Sequence, residues 1–549
     1  MRIFIAAPFT RFLEAQEGSI APRLAPGIRR FLCRLESDLT AAGHEVFLAH
    51  SLEGFGKHLR PAHVCTPFDM LEIQRADCVV AFAEGSMGVH VELGWATAMN
   101  KPIVLVRRMG DTSSSPLLEG LHTVARCETV WAPQFLLDDW NLQDELCQQI
   151  VAIIRGISGS VTTTKSWAFL STAFGFGPVS KAVTIASRLR ERRPDIETHF
   201  FGKGIDRDFA LKANAFDRVF SIDVDCPQVL RDLVPQLKTY EHVVSVLNLT
   251  LLSYWGDDLP PLHLVDSLAW MWPRLPPGIE KVRTYFVQEY LVETNRLGQW
   301  SDETRLRSVG PITLANGERL GSPQVDSSLL LVNFSGCANP FSDGEIYSRY
   351  VRLLSEVIVH AARDRYSKVV MCCREELLRH IDRSGAPGVD VMVGHFSPAE
   401  FREFLAGARL VVTAPGITTT LEAIALDKPL RFLLPQNYSQ ALISETYRKV
   451  LPESCSMAFS RFGPQFLLGG NMDERVGIQL CMQYLDEILT RHESEVHRML
   501  NELFTDDSID TVQLLRMSAM GGSHRPGQDE ILDELLQFDE RTPPSDRDA

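Results

Sequence analysis

DCVVAFAEGSMGVHVELGWATAMNKPIVLV, residues 77–106, reads as strand, glycine loop, short helix and second strand. The run CVVAFA has the length and β-branched content of a buried strand. The loop EGSMG brings two glycines, the hydroxyl of Ser86 and backbone N–H groups that can hold an anion, with Gly88 beside them. The helix VHVELGWATAM carries Glu92 in its opening turns, where the positive helix end favours an ionised carboxylate. A carboxylate above the carboxyl edge of a parallel sheet is placed for a ligand and for nucleophilic chemistry. The plainer alternative is a helix-start glutamate with no chemical task.

The flanking sequence continues the alternation. RIFIAAPF is a first strand, IRRFLCRLESDLTAAG a helix stopped by Gly43, and HEVFLAH a second strand. PFDMLEIQRA is a short helix that Asp69 opens, and WNLQDELCQQIVAIIRG closes the unit. This pattern predicts an α/β domain over residues 1–156 with a flavodoxin- or Rossmann-like parallel sheet. Asp69 reads either as a helix cap or as a second carboxylate over the crevice. Two converging carboxylates suit N-glycoside cleavage: one captures or stabilises the oxocarbenium-like sugar, the other manages a proton or a sugar hydroxyl.

IFIAAPF, Asp69, ADCVVAF and GSMGVHVELGWATAMNKPIVLV together resemble the nucleoside 2-deoxyribosyltransferase family. The resemblance is to its branch of nucleoside 5'-monophosphate N-glycosidases, including CMP hydrolases, and covers about the first 150 residues. It implies Glu92 as nucleophile, Asp69 as its acidic partner and Ser86 as a 5'-phosphate ligand. Ser114 within TSSS would add a phosphate contact, in this family often across a dimer, and Phe9 would lie against the base. Arg11, Arg23, Arg29 and Arg30 are the cationic candidates for phosphate or base. The loop after the first strand carries prolines where the family's small hydrolases have a glycine-rich segment.

The chain of 549 residues is too long for one core. Its formal charge of -15 excludes nonspecific nucleic-acid binding as a main task and suits an acidic, soluble, cytoplasmic protein. The 11 cysteines show neither a disulfide framework nor zinc spacing, so no metal is expected. MRIFIAAPF reads as a strand rather than a signal peptide, and no run is long and apolar enough to span a membrane.

Residues 157–166 are small and polar and read as a linker. WAFLSTAFGFGPVSKAVTIASRLRERRPDIETHFFGKG then restarts the strand, glycine loop, helix pattern, and residues 167–324 form one α/β half. Its FGFGP loop is too irregular for a dinucleotide fingerprint. A second half, residues 325–505, contains SSLLLVNFSGCANPF and RLVVTAPGITTTLEAIALDKPLRFLLPQNYSQ. Threonines and free N–H groups at a helix start can hold a diphosphate, and Glu422 one turn inside can bond a ribose diol.

Two such halves resemble GT-B glycosyltransferases that use UDP-sugars, over about residues 165–490. The resemblance implies donor binding by Gly416, Thr418, Thr419 and Glu422, with Ser335 and Gly336 approaching from the other loop and Gln436, with Asn437, reaching the sugar. The first half, with Gly177, would hold the acceptor. Pro178 stands where a histidine base often follows the glycines, which leaves Asp257, Asp258 and Asp266 as candidate bases. An anionic donor sugar would want a cation, with Arg431, Lys203, Arg374 and His395 as candidates. Residues 506–549 read as a partly disordered tail, with eight acids and three bases from residue 525 on.

A unit that frees a base ahead of one that attaches a sugar suggests a relay. It resembles CMP hydrolase and cytosylglucuronate synthase activities of nucleoside-antibiotic pathways joined in one chain. The expected co-substrates are a nucleotide and a nucleotide sugar, UDP-glucuronate foremost, with no covalent cofactor, no nucleic-acid partner and a homodimer formed through the first domain. Alternatively, the transferase modifies another small molecule while the first domain recycles or senses nucleotides.

Overall fold

The computed structural model describes residues 1–8, 13–14, 23–24, 26–83, 86–108, 115–132, 140–158, 165–272, 274–290, 300, 303, 305–313, 326–337, 344–383, 387–470, 472–505, 509–519 and 525–541. The chain divides into two compact units, Met1–Thr163 and Thr164–Ala549. Each is mixed α/β, and the three main sheets are parallel throughout.

In the first unit the sheet runs Glu45–Leu48, Arg2–Ala6, Cys78–Phe82, Ile103–Arg108, Cys127–Ala132. All five residues of Cys78–Phe82 are buried because both sheet faces are covered. Cys78, Val80 and Phe82 face Phe31 and Leu35 of the helix Pro26–Ala41. Val79 and Ala81 face Leu93 and Ala96 of the helix Met87–Ala98. The two-residue period of the strand thus assigns one helix layer to each face. Gly43 ends the first of these helices at φ +85°, in the left-handed region where glycine is favoured.

One expectation changes here. The helix before Cys78 spans Ala62–Arg75, so Asp69 lies in its middle rather than at its opening. Pro67 suggested a start, but it sits inside the second turn and removes only the bond to the carbonyl of the exposed His63.

The second unit contains two doubly wound halves. The first half's sheet is ordered Arg218–Ser221, Ile196–Gly202, Lys165–Ser171, His242–Val246, Leu262–Asp266, Thr284–Gln288, Leu306–Val309. The second half's sheet is ordered Asp390–Gly394, Lys368–Cys372, Leu329–Asn333, Leu410–Thr413, Leu430–Phe432. In both, the first strand in the chain lies inside the sheet and the order reverses beside it, which opens a crevice at the carboxyl ends. Each half is therefore a Rossmann-like parallel sheet.

The end of the chain corrects the expected tail. Gly527–Arg541 is a helix whose Ile531, Leu532 and Leu535 are buried with Trp167, Phe169 and Val183 of the first half. Its acids were read as a solvated run, but they form one face of an amphipathic helix. Asp529 accepts from Arg188 Nε at 2.7 Å, Asp533 accepts from Arg192 at 2.7 Å, and Glu530 accepts from the Gly310 N–H at 2.7 Å. Residues 542–549, and residues 159–164 of the expected linker, lie outside the described residues. No helix among the described residues is long and apolar enough to cross a membrane.

Candidate active sites

In the first unit, packing of Ala62–Arg75 against Met87–Ala98 brings Asp69 and Glu92 into electrostatic contact. Burial first, then the Asp69 charge, pushes the Glu92 carboxyl well above its ordinary value. Burial, followed by the charges of Glu53 and Glu72, pushes Asp69 up to about 7, with Arg60 pulling the other way. The expectation that the helix end keeps Glu92 ionised is therefore reversed: loss of water and a like charge outweigh the dipole. Both carboxyls are thus pushed toward the protonated form, chiefly by burial.

Ser86 is the cap of the helix that carries Glu92, its hydroxyl accepting from the Val89 N–H at 3.3 Å. Gly88 lies exposed in the first turn beside it. Ser115 caps the short helix Pro116–Glu119. Phe9, Arg11 and Ser114 lie outside the described residues, as does the side chain of Arg23. Arg29 stacks over Phe55 at 4.9 Å, where Phe55 takes φ +56° between two glycines. Sequence reasoning missed Glu53, which loads negative charge onto Asp69; the only sign of it was an acid next to the glycine-flanked aromatic in EGFG.

The second unit's crevice lies between its two halves, with about 1370 Å³ of space counting the part open to solvent, ample for a nucleotide sugar. Of the predicted donor and acceptor residues, Gly177, Ser335, Gly416, Thr418, Thr419, Glu422 and Gln436 all line it. Gly416 precedes the helix Ile417–Ala425 without any side-chain cap, so the first-turn N–H groups point into the crevice unsatisfied by a cap. Thr419 accepts from Asn333 Nδ2 at 3.1 Å.

The NFSGC loop is drawn tight across this crevice. Ser335 and Cys337 both have positive φ, at 63° and 43°, and Gly336 between them has no room for a side chain. A Cβ there would stand 2.8 Å from the Gly175 Cα of the opposite half. Gln436 holds the loop by donating to the Phe334 carbonyl at 2.6 Å, so its amide supports the NFSGC loop as well as lining the space. Asn437 caps the helix Tyr438–Val450.

Several acceptor-side and sugar-side expectations are not met. Asp257 and Asp258 are exposed and do not line the crevice, and Asp258 pairs with Lys238. The turn Gly256–Asp258 points its polar side chains to water, the ordinary outcome for adjacent loop acids. Asp266 is fully buried and accepts from the Leu268 N–H, Trp272 Nε1 and Tyr285 hydroxyl at 2.6–2.8 Å, which commits its oxygens to structure. Arg431 is buried against the Leu430 carbonyl and Lys203 pairs with Asp223 at 3.2 Å. His395 does line the crevice and stacks on Phe176. Sequence reasoning missed Lys181, one turn after Gly177, which burial pushes down to about 8. In the sequence it reads as an ordinary helix lysine, and only the burial of its neighbours Pro178–Ile185 sets it apart.

Among the described residues no group of His, Cys, Asp and Glu stands together as metal ligands. No family model matches the chain, and no curated protein matches it. Solved structures do. The chain is similar to the Clostridium botulinum CMP N-glycosidase BcmB, at 24% identity over 28% of this chain and 99% of that one, TM-score 0.20. BlsM is similar at 30% identity over 30% of this chain and 96% of that one, TM-score 0.24. Os79 from O. sativa, in complex with UDP, is similar at 12% identity over 67% of this chain and 99% of that one, TM-score 0.43.

Proposed function

We propose that this chain is a bifunctional enzyme: its first unit hydrolyses the N-glycosidic bond of a pyrimidine nucleoside 5'-monophosphate, foremost CMP, and its second transfers a sugar, foremost glucuronate, from a UDP-sugar to an acceptor. The acceptor is the released cytosine. The observation that carries the first activity is the Asp69–Glu92 pair. Two half-buried carboxyls whose proton affinities burial raises, with the Asp69 charge adding to Glu92, cost stability, and a site that only binds a phosphate ester gains nothing from them.

In this reading Glu92, once ionised, attacks the anomeric carbon as the base departs, and water then releases ribose 5-phosphate. Asp69, protonated, gives its proton to the departing base and takes one from the attacking water, or orients a ribose hydroxyl. The Ser86-capped helix start, with the Gly88 backbone, receives the 5'-phosphate. In the second unit the uncapped start of Ile417–Ala425 takes the donor diphosphate and Glu422 the ribose. Met87 and Val91, 88% and 51% exposed on the helix that bears Glu92, support a homodimer through the first unit.

The test is to incubate the chain with CMP, UMP, AMP and GMP and follow free base chromatographically, then to add UDP-glucuronate or UDP-glucose. Release of cytosine from CMP and a cytosine–sugar adduct are expected. No base release from any nucleotide sinks the hydrolase. An adduct with another acceptor but none with cytosine sinks the relay and leaves a transferase of different substrate.

A further inference from the structure

Lys181 lies on the helix Gly177–Arg192 of the second unit's first half, and its side chain is 2% exposed. Its ammonium reaches the other half, donating to Thr418 Oγ1 at 2.9 Å. An ammonium has three protons to donate. Among the described residues this one spends a single proton, on a neutral hydroxyl, and no carboxylate comes within ion-pair distance. Glu422, from the helix Ile417–Ala425, and Asp266, from the end of the strand Leu262–Asp266, act on it only through space. A buried cation without a bonded counter-charge carries an uncompensated desolvation cost.

The two unused N–H groups sit where the cap-free turn Ile417–Thr419 also offers donors, and Thr418 belongs to both sets. The donors come from opposite halves of the unit, whose glycine loops meet at Gly336 and Gly175. We propose that Lys181 supplies the missing half of a diphosphate site: its ammonium pairs with the diphosphate of the nucleotide-sugar donor, so that the first half contributes to donor binding as well as to the acceptor. This rests on the transferase reading given above. It also makes closure of the crevice depend on the donor's charge, since the anion joins a lysine of one half to a helix start of the other.

Charge on Lys181 is the condition for this pairing. Burial lowers its proton affinity to about 8 while Glu422 and Asp266 raise it, so the free protein begins to lose the cation just above neutral pH. A bound diphosphate favours the charged form, and affinity therefore falls as pH rises through that value.

The experiment is calorimetric titration of the full chain with UDP, UMP and uridine, repeated for Lys181→Met and Lys181→Arg. Wild type is expected to bind UDP well above UMP and uridine. Lys181→Met should weaken UDP about 100-fold while uridine changes less than threefold, and Lys181→Arg should recover at least tenfold of the loss. A wild-type titration from pH 7 to 9.5 should weaken UDP tenfold or more and leave uridine level, which reads out the same role without any variant. Equal UDP binding by wild type and Lys181→Met, or no pH dependence beyond that of uridine, overturns the assignment of Lys181 and leaves the transferase standing. Failure of wild type to bind UDP, UMP or uridine at all removes the donor reading and this inference with it.

Discussion

The two units place their charge in opposite ways. In the first, the half-buried carboxyls Asp69 and Glu92 are crowded, with Glu53 and Glu72 adding their charge to Asp69, so both are pushed toward the protonated form. In the second, a buried ammonium faces an uncapped helix start between two glycine loops, so the site wants an anion. Both are built on the carboxyl edge of a parallel sheet. The contrast teaches that this scaffold sets only where a ligand goes; the side chains that burial leaves uncompensated say what it is for.

The sharpest way to break the contrast is Glu92→Gln. Base release from CMP is expected to drop by about 10³-fold or more, with sugar transfer to added cytosine unchanged, both followed by chromatography. Asp69→Asn should cost about 10²-fold in release, and the acid limb of its pH–rate profile should move to lower pH because the like charge on Glu92 is gone. The same variant tests that push toward protonation. The folded-state affinity of Asp69 is raised, so its contribution to stability is present in acid and lost as pH climbs to about 7. The variant's first unit should therefore melt higher than wild type at pH 8 and no higher at pH 4, by scanning calorimetry.

On the other side, Gly336→Ala forces a methyl group against Gly175 and should weaken UDP-sugar use about tenfold in KM, leaving base release intact. Ile531→Ala should destabilise the second unit by about 2–4 kcal/mol in denaturant unfolding without altering the first unit's transition. Least affected of all, Asp258→Ala should shift stability by no more than about 0.5 kcal/mol and leave both activities alone, because its pair with Lys238 is exposed.

Much of this was readable in the chain. Apolar runs such as CVVAFA and RLVVTA, each followed by a glycine turn and a helix, dictate buried parallel strands, and residues placed just after such strands necessarily reach the carboxyl edge. Glu92, Gly177, Thr418 and Glu422 were found that way. What was not readable depended on burial. The dipole argument for an ionised Glu92 was sound locally and lost to desolvation by residues distant in sequence. Lys181 looked like an ordinary helix lysine, and its neutral partner Thr418 lies 237 positions away. The acids of Gly527–Arg541 looked solvated because Arg188 and Arg192, which donate to Asp529 and Asp533, precede them by 341 positions.

That last helix has a consequence for biosynthesis. Ile531, Leu532 and Leu535 complete a core begun by Trp167 and Phe169. A ribosome moving along the message would release the first unit with its own core already complete, whereas the half that starts at Lys165 stays short of three buried side chains until residues 527–541 have emerged. Emergence of Gly527–Arg541, rather than synthesis of that half, is then the event that closes its core, and until then its apolar surface is the part of the nascent chain that chaperones would hold.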